Sequence, residues 1–173
     1  LYFCIAYIKF DLIFYLILII YIIIIFEVVY YFQKYRLFPL IYIFLLFLFF
    51  LLIDFDNKII LSFNLYIFIV VIFDIFSYII GKSFGKNRLI FISPNKTVEG
   101  LIGGIIVSFI LSMLFAIFFN FNINIELLFF IIFIILCAFL GDLFESYFKR
   151  KNNLKNSSEL IPGHGGVFDR FDS

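Results

Sequence analysis

The chain has 173 residues, is 65% hydrophobic and 14% charged, and has a mean hydropathy of +1.19. A soluble domain is about 45–50% apolar and about 25% charged, so an ordinary soluble globule, a disordered tail and a basic nucleic-acid-binding domain are excluded. The formal net charge is only +1, which sets up no bulk field for a polyanionic partner such as nucleic acid.

A spanning helix needs about 20 apolar residues, because ~30 Å of hydrocarbon is crossed at 1.5 Å per residue. Five segments qualify, at about 12–32, 37–53, 59–80, 101–119 and 125–140. The first carries Glu27 near one end, where a carboxylate can reach the interface. A basic link, Gln33-Lys34-Tyr35-Arg36, leads to the second span, and the net acidic Asp54–Lys58 leads to the third. Late in the third span lies Asp74, a carboxylate at membrane depth and so a candidate functional group. The fifth span is short and is open to extension into Gly141-Asp142. The expected fold is therefore all-α, a polytopic integral membrane bundle of about five spans with a polar C-terminal segment. With five spans, the basic stretches 33–36 and 81–99 share one side with 141–173. The positive-inside rule puts that side in the cytoplasm.

The two cysteines, Cys4 and Cys137, are far apart in apolar surroundings and support neither a disulfide framework nor a metal site. No cleavable signal peptide is visible. The chain does not begin with Met and stops just after a dense polar cluster, so it is expected to be a fragment.

All nine glycines follow residue 80, whereas the first 80 residues hold no glycine and one proline, Pro39. Glycine permits positive φ and close backbone approach, so ligand-approaching backbone is expected in the later part of the chain. The organisation read from this is an apolar scaffold over 1–69 and a catalytic membrane region over 70–173.

Three polar features could carry chemistry. Gly81-Lys82 and Gly85-Lys86 could hold phosphate, although their spacing is not that of a Walker loop. In Ser93–Gly100 (SPNKTVEG), Ser, Pro and Asn are expected to make a turn, with Thr97 or Asn95 capping the next helix. A helix N-terminus beside Lys96 favours anions. The following Gly100-Leu-Ile-Gly-Gly104 contains GxxxG, read as a helix-packing face.

The last segment is the richest. Asp142, Glu145 and Lys149 fall at i, i+3 and i+7, one face of a helix leaving the membrane. Pro162-Gly163-His164-Gly165-Gly166 is a sharp loop, and Asp169-Arg170-Phe171-Asp172 follows. Carboxylates at membrane level beside lysines and arginines suit a hard divalent cation bridging phosphates. His164, alone between glycines, reads equally as a turn residue or a substrate contact.

These residues, in this order, resemble the phosphatidate cytidylyltransferase (CDP-diacylglycerol synthase) family. The resemblance covers about 70–173. It is carried by Ser146, Lys149-Arg150, Lys155, PGHGG at 162–166, Asp169-Arg170 and Asp172, with Asp142 in the Gly-Asp-Leu that precedes them. SPNKTVEGLIGG at 93–104 is similar to another family stretch, and Asp74 to Gly85 align in character. Two positions depart: Asn156 stands where the family commonly has Asp, and Val98 where many members have Trp. The family also carries a further span after the signature.

The resemblance implies transfer of CMP from CTP to phosphatidic acid at the cytoplasmic face of a membrane, with Mg²⁺ as cofactor and a homodimer as the assembly. It implies that Asp142 and Asp169 hold metal, with Asp172 a weaker candidate. It further implies that Lys149, Arg150, Lys155 and Arg170 bind phosphates. Ser93, Lys96 and Thr97 would orient nucleotide or headgroup, and Ser146, His164 and Asp74 would join the substrate site. The alternatives are a related CTP-dependent lipid kinase or cytidylyltransferase for another lipid, a transporter with an ion site at Asp74, and an inactive remnant.

Overall fold

The structure is a computed structural model that describes residues 11–32, 34–52, 57–90, 93–154, 157–158 and 166–170. Its elements are α1 (Asp11–Tyr31), α2 (Leu37–Leu51), α3 (Asn57–Phe84), β1 (Arg88–Ile90), β2 (Ser93–Thr97), α4 (Val98–Phe118), α5 (Ile125–Lys151) and a 3-10 turn at Phe168–Arg170. Every expected span is a helix. Among the described residues, four of them are long and apolar enough to cross a membrane, not five. The exception is α2, whose 15 residues rise only about 22 Å against ~30 Å of hydrocarbon.

The helices form two compact units. One comprises α3, the hairpin, α4 and α5 up to Tyr147; the other comprises α1, α2 and the described residues from Phe148 to Arg170. In the first, Leu65, Ile69 and Phe73 of α3 pack with Ala116 of α4 and with Leu127, Ile131, Ile134, Ile135 and Ala138 of α5. The buried stripe of α4 is Gly100, Gly104, Ser108, Ser112 and Ala116, at strict i, i+4 spacing. Its opposite face exposes Ile102, Ile106, Ile110, Leu114 and Ile117. Small residues inward and large aliphatics outward suit a helix in lipid, where association rests on close backbone packing. A Cβ on Gly104 would lie 3.1 Å from Ser77 Cα, and one on Gly100 would lie 2.7 Å from Ser77 O, so the GxxxG sequence is the packing face that its pattern predicts.

The second unit has its own core of Ile24, Val28 and Phe32 from α1, Ile43 from α2 and Phe168 from the 3-10 turn.

The helix ends are set locally. Asn124 caps α5, its Oδ1 accepting the Leu127 N–H at 2.9 Å. Asn120 (φ 55°) and Asn153 (φ 58°) take the left-handed conformation just past α4 and α5. After α5, Leu154 N–H donates to Lys149 O and Asn153 N–H to Arg150 O, the two bonds of a Schellman stop. The fifth span thus runs well beyond residue 140. At 27 residues α5 is about 40 Å long, so its last turns extend past the hydrocarbon with their charges.

The all-α expectation holds, and one local expectation is corrected. Ser93–Asn95 is not a turn but part of β2, which pairs antiparallel with β1 in the register Arg88↔Thr97 and Ile90↔Ser93. Pro94 is tolerated because the sheet has only two strands, so both are edges.

Candidate functional site

In the first unit the hairpin is locked onto the start of α4. Thr97 is the N-cap, its Oγ1 accepting the Gly100 N–H at 3.1 Å; of the two expected caps, Thr97 is the one used. The Glu99 carboxylate accepts from Asn87 N–H at 3.2 Å and from Asn87 Nδ2 at 2.9 Å. Val98 N–H donates to Asn87 O at 3.0 Å. Gly81 and Gly85 pack against Thr97: a Cβ on Gly81 would meet its Oγ1 at 3.1 Å, and one on Gly85 would meet it at 2.7 Å. These two glycines therefore serve helix–hairpin packing, and Lys86 is exposed beside them while Lys82 Nζ lies 5.7 Å over the Tyr78 ring. The cap and the Asn87 latch fix Lys96, which forms an ion pair with Asp142 of α5. That pair ties the 93–97 strand to α5 within the first unit.

In the second unit Lys149 Nζ lies 2.8 Å from Asp169 Oδ1, with the two side chains only 15% and 11% exposed. Asp169 also accepts the Ser157 N–H at 2.9 Å and the Gly166 N–H at 2.9 Å, both at Oδ2. Three donors thus hold one carboxylate. Arg150 is exposed, and its Nη1 reaches Leu154 O at 3.4 Å.

Beside this pair lies a group that sequence reasoning misplaced. Glu27 is expected at the interface, yet it is fully buried. Its carboxylate accepts from Val167 N–H at 3.1 Å, Phe168 N–H at 2.7 Å, Ser157 Oγ at 3.2 Å and Ser158 Oγ. The available signal was its setting, since Glu27 is the only acid between Asp11 and Asp54.

Among the other expected site residues, Asp74 is half-buried on α3 and Ser146 is buried on α5. Ser93 opens β2 and Arg170 ends the 3-10 turn, as backbone positions. Lys155, His164 and Asp172 lie outside the described residues.

Each unit carries one carboxylate of the hard-oxygen kind that Mg²⁺ takes. Asp142 and Asp169 offer hard carboxylate oxygens, and each already faces a cationic ammonium. Among the described residues no group of three or more His, Cys, Asp or Glu gathers.

Comparison with known proteins identifies the scaffold. A family model described as the cytidylyltransferase family matches residues 1–173. A phosphatidate cytidylyltransferase of Staphylococcus aureus (strain COL) is 39% identical over 116 residues, covering 65% of this chain and 45% of the relative. One of Staphylococcus haemolyticus (strain JCSC1435) is 40% identical over 116 residues, with the same coverage of 65% and 45%. One of Helicobacter pylori (strain J99 / ATCC 700824) is 36% identical over 105 residues, covering 61% of this chain and 40% of the relative. The matched region is thus less than half the length of each relative. With a family match that runs from the first residue to the last, over helices whose polar ends carry two lysine–aspartate pairs, the chain belongs to the cytidylyltransferase family.

Proposed function

We propose that the protein transfers CMP from CTP to phosphatidic acid, giving CDP-diacylglycerol and pyrophosphate. The observation that carries this reading is the Lys149–Asp169 pair, held by the backbone of Ser157 and Gly166. It lies in the segment whose residues resemble the phosphatidate cytidylyltransferase signature, and the relatives above bear that name.

In the reaction a phosphate oxygen of phosphatidic acid attacks the α-phosphorus of CTP. A new P–O bond forms, the bond from that phosphorus to the β-bridging oxygen breaks, and pyrophosphate leaves with the electron pair. The nucleophile is already ionised at neutral pH, because the second pKa of a phosphate monoester is ~6. No strong general base is required. The site must instead bring two polyanions together, align them and offset charge on the leaving group.

The residues divide that work by chemistry. Lys149, Arg150, Lys155 and Arg170 bind phosphates, and Lys96 helps to orient the nucleotide or headgroup. Ser93, Thr97, Ser146, His164 and Asp74 orient the nucleotide and the lipid headgroup. Asp142 and Asp169 would be the residues to hold Mg²⁺, with Asp172 a weaker candidate. When bound, Mg²⁺ supplies Lewis-acid neutralisation of the reacting phosphates.

The membrane setting is part of the reading. Four long apolar helices support an integral membrane protein, and the basic stretch 81–99 favours a cytoplasmic site in a bacterial inner membrane. There a soluble nucleotide and a lipid headgroup can meet.

The test is the full-length protein in phosphatidate-containing vesicles, given radiolabelled CTP with and without Mg²⁺. Mg²⁺-dependent CDP-diacylglycerol is the expected product. No product, or label passing only to a polyprenol or another lipid, overturns the proposal.

A further inference from the structure

Helix α1 contributes a carboxylate to the signature segment. We propose that Glu27 is a positioning residue that anchors Ser157, Ser158, Val167 and Phe168 and thereby sets the placement of Asp169.

The geometry separates anchoring from chemistry. Glu27 has no exposed surface, and four donors converge on its two oxygens. The carboxylate has no solvent-facing surface to offer a substrate. All four donors come from the segment that also holds Asp169. Ser157 bridges the two carboxylates, giving its hydroxyl to Glu27 at 3.2 Å and its N–H to Asp169 at 2.9 Å. On the other side of the segment Gly166 N–H binds Asp169, while Val167 and Phe168 N–H bind Glu27. Displacing Glu27 therefore moves both backbone donors that orient Asp169. Gly166 makes room for this arrangement, because any Cβ there would fall onto the Glu27 carboxylate and the Ser157 hydroxyl. The cost of leaving buried N–H groups without acceptors drives the anchoring.

The anchoring stands on the geometry alone, whereas its consequence for turnover rests on the proposed function. Two readouts keep them apart. Hydrogen exchange on the full-length protein in nanodiscs reads the anchored amides directly. In Glu27→Ala and in the isosteric Glu27→Gln, the amides of Ser157, Gly166, Val167 and Phe168 lose protection, while those of α3 and α4 keep it. Kinetics then read the consequence. In Glu27→Gln, kcat for CDP-diacylglycerol falls about 10–100-fold, the range found for outer-shell partners of metal ligands. The Mg²⁺ concentration for half-maximal rate rises at least about fivefold, and Glu27→Asp falls between Gln and wild type.

Unchanged exchange at these four amides in both variants overturns the proposal. So does equal loss of protection in α3 and α4, which marks a general stability role. Lost protection with wild-type kcat and Mg²⁺ dependence also overturns it. A wild-type protein that makes no CDP-diacylglycerol overturns the proposed function instead, and the exchange data then decide the anchoring separately.

Discussion

Phe168 donates its backbone N–H to Glu27 Oε2 at 2.7 Å across 141 positions of sequence, and the next residue in the chain is Asp169. The carboxylate that faces Lys149 thus follows directly on a backbone pinned to the first helix. This explains how a segment rich in glycine and short polar side chains can present Asp169 in one orientation.

Asp169→Asn tests the role of the charge. Asparagine keeps one acceptor oxygen and turns the other into a donor, so at least one of Ser157 N–H, Gly166 N–H and Lys149 Nζ then faces an NH₂ group. On the proposed function, Mg²⁺ would also lose an anionic ligand. Expected are a loss of more than about 100-fold in CDP-diacylglycerol formation and unchanged membrane insertion, the former consistent with removing charge-assisted bonds at a site of phosphoryl chemistry. Near-normal turnover in the full-length protein rejects the metal assignment.

Lys149→Ala separates phosphate binding from folding. The lysine is 15% exposed and pairs with Asp169 at 2.8 Å, yet Asp169 keeps two backbone donors after the substitution. The segment should therefore stay folded while a cation is lost from the reacting phosphates. Catalytic efficiency with CTP and phosphatidic acid should fall at least about tenfold, with the melting temperature shifting by only a few degrees. Unchanged kinetic constants reject the phosphate-binding role.

Much of this arrangement is legible in the sequence because local rules produce it. The helices follow apolar length, Thr97 caps as a threonine before a helix should, and Gly100 and Gly104 mark the face that meets Ser77. The i, i+7 relation of Asp142 and Lys149 holds because α5 is one unbroken helix to Lys151. What escapes is non-local or locally contradicted. Glu27 finds its partners 130–141 residues away, a distance that no periodicity encodes. The hairpin is hidden because Pro94 reads as a turn residue in any strand with two neighbours. Asparagines, not glycines, end α4 and α5, so the helix boundaries are poorly marked.

Gly104→Leu tests the α3–α4 contact. Even a Cβ at this position would lie 2.9 Å from Ser77 Cβ and 3.1 Å from Ser77 Cα, so a larger side chain must push backbone apart. Overpacking of this kind costs about 1–3 kcal/mol. Thermal unfolding in detergent should show a clear fall for Gly104→Leu and little change for Ile106→Leu, which lies on the exposed face two residues on. Equal melting temperatures exclude the close approach.

Thr97→Val removes the cap at nearly constant volume. The Gly100 N–H loses its side-chain acceptor, at a cost of about 1 kcal/mol, and Thr97→Ser should restore it. Because the same residue begins α4 and ends the strand bearing Lys96, activity should fall along with stability in Val and recover in Ser. A Val variant as stable as wild type shows that the cap is not needed.

Gly166→Ala tests the close approach at the anchor. The added methyl would meet the Glu27 carboxylate and the Ser157 hydroxyl, both far ends of side chains that could swing away in principle. Here they are tied by their own hydrogen bonds, so moving them releases Val167 and Phe168 N–H from Glu27 and Ser157 Oγ from its acceptor. Two or more bonds at about 1 kcal/mol each, with buried donors left unpaired, amount to a loss of several kcal/mol confined to this segment. Turnover should therefore fall by about tenfold or more while α3 and α4 melt as in wild type, as read by hydrogen exchange and CDP-diacylglycerol formation on the same preparation. An alanine variant with wild-type exchange at Ser157, Val167 and Phe168 shows that the carboxylate does not press on Gly166.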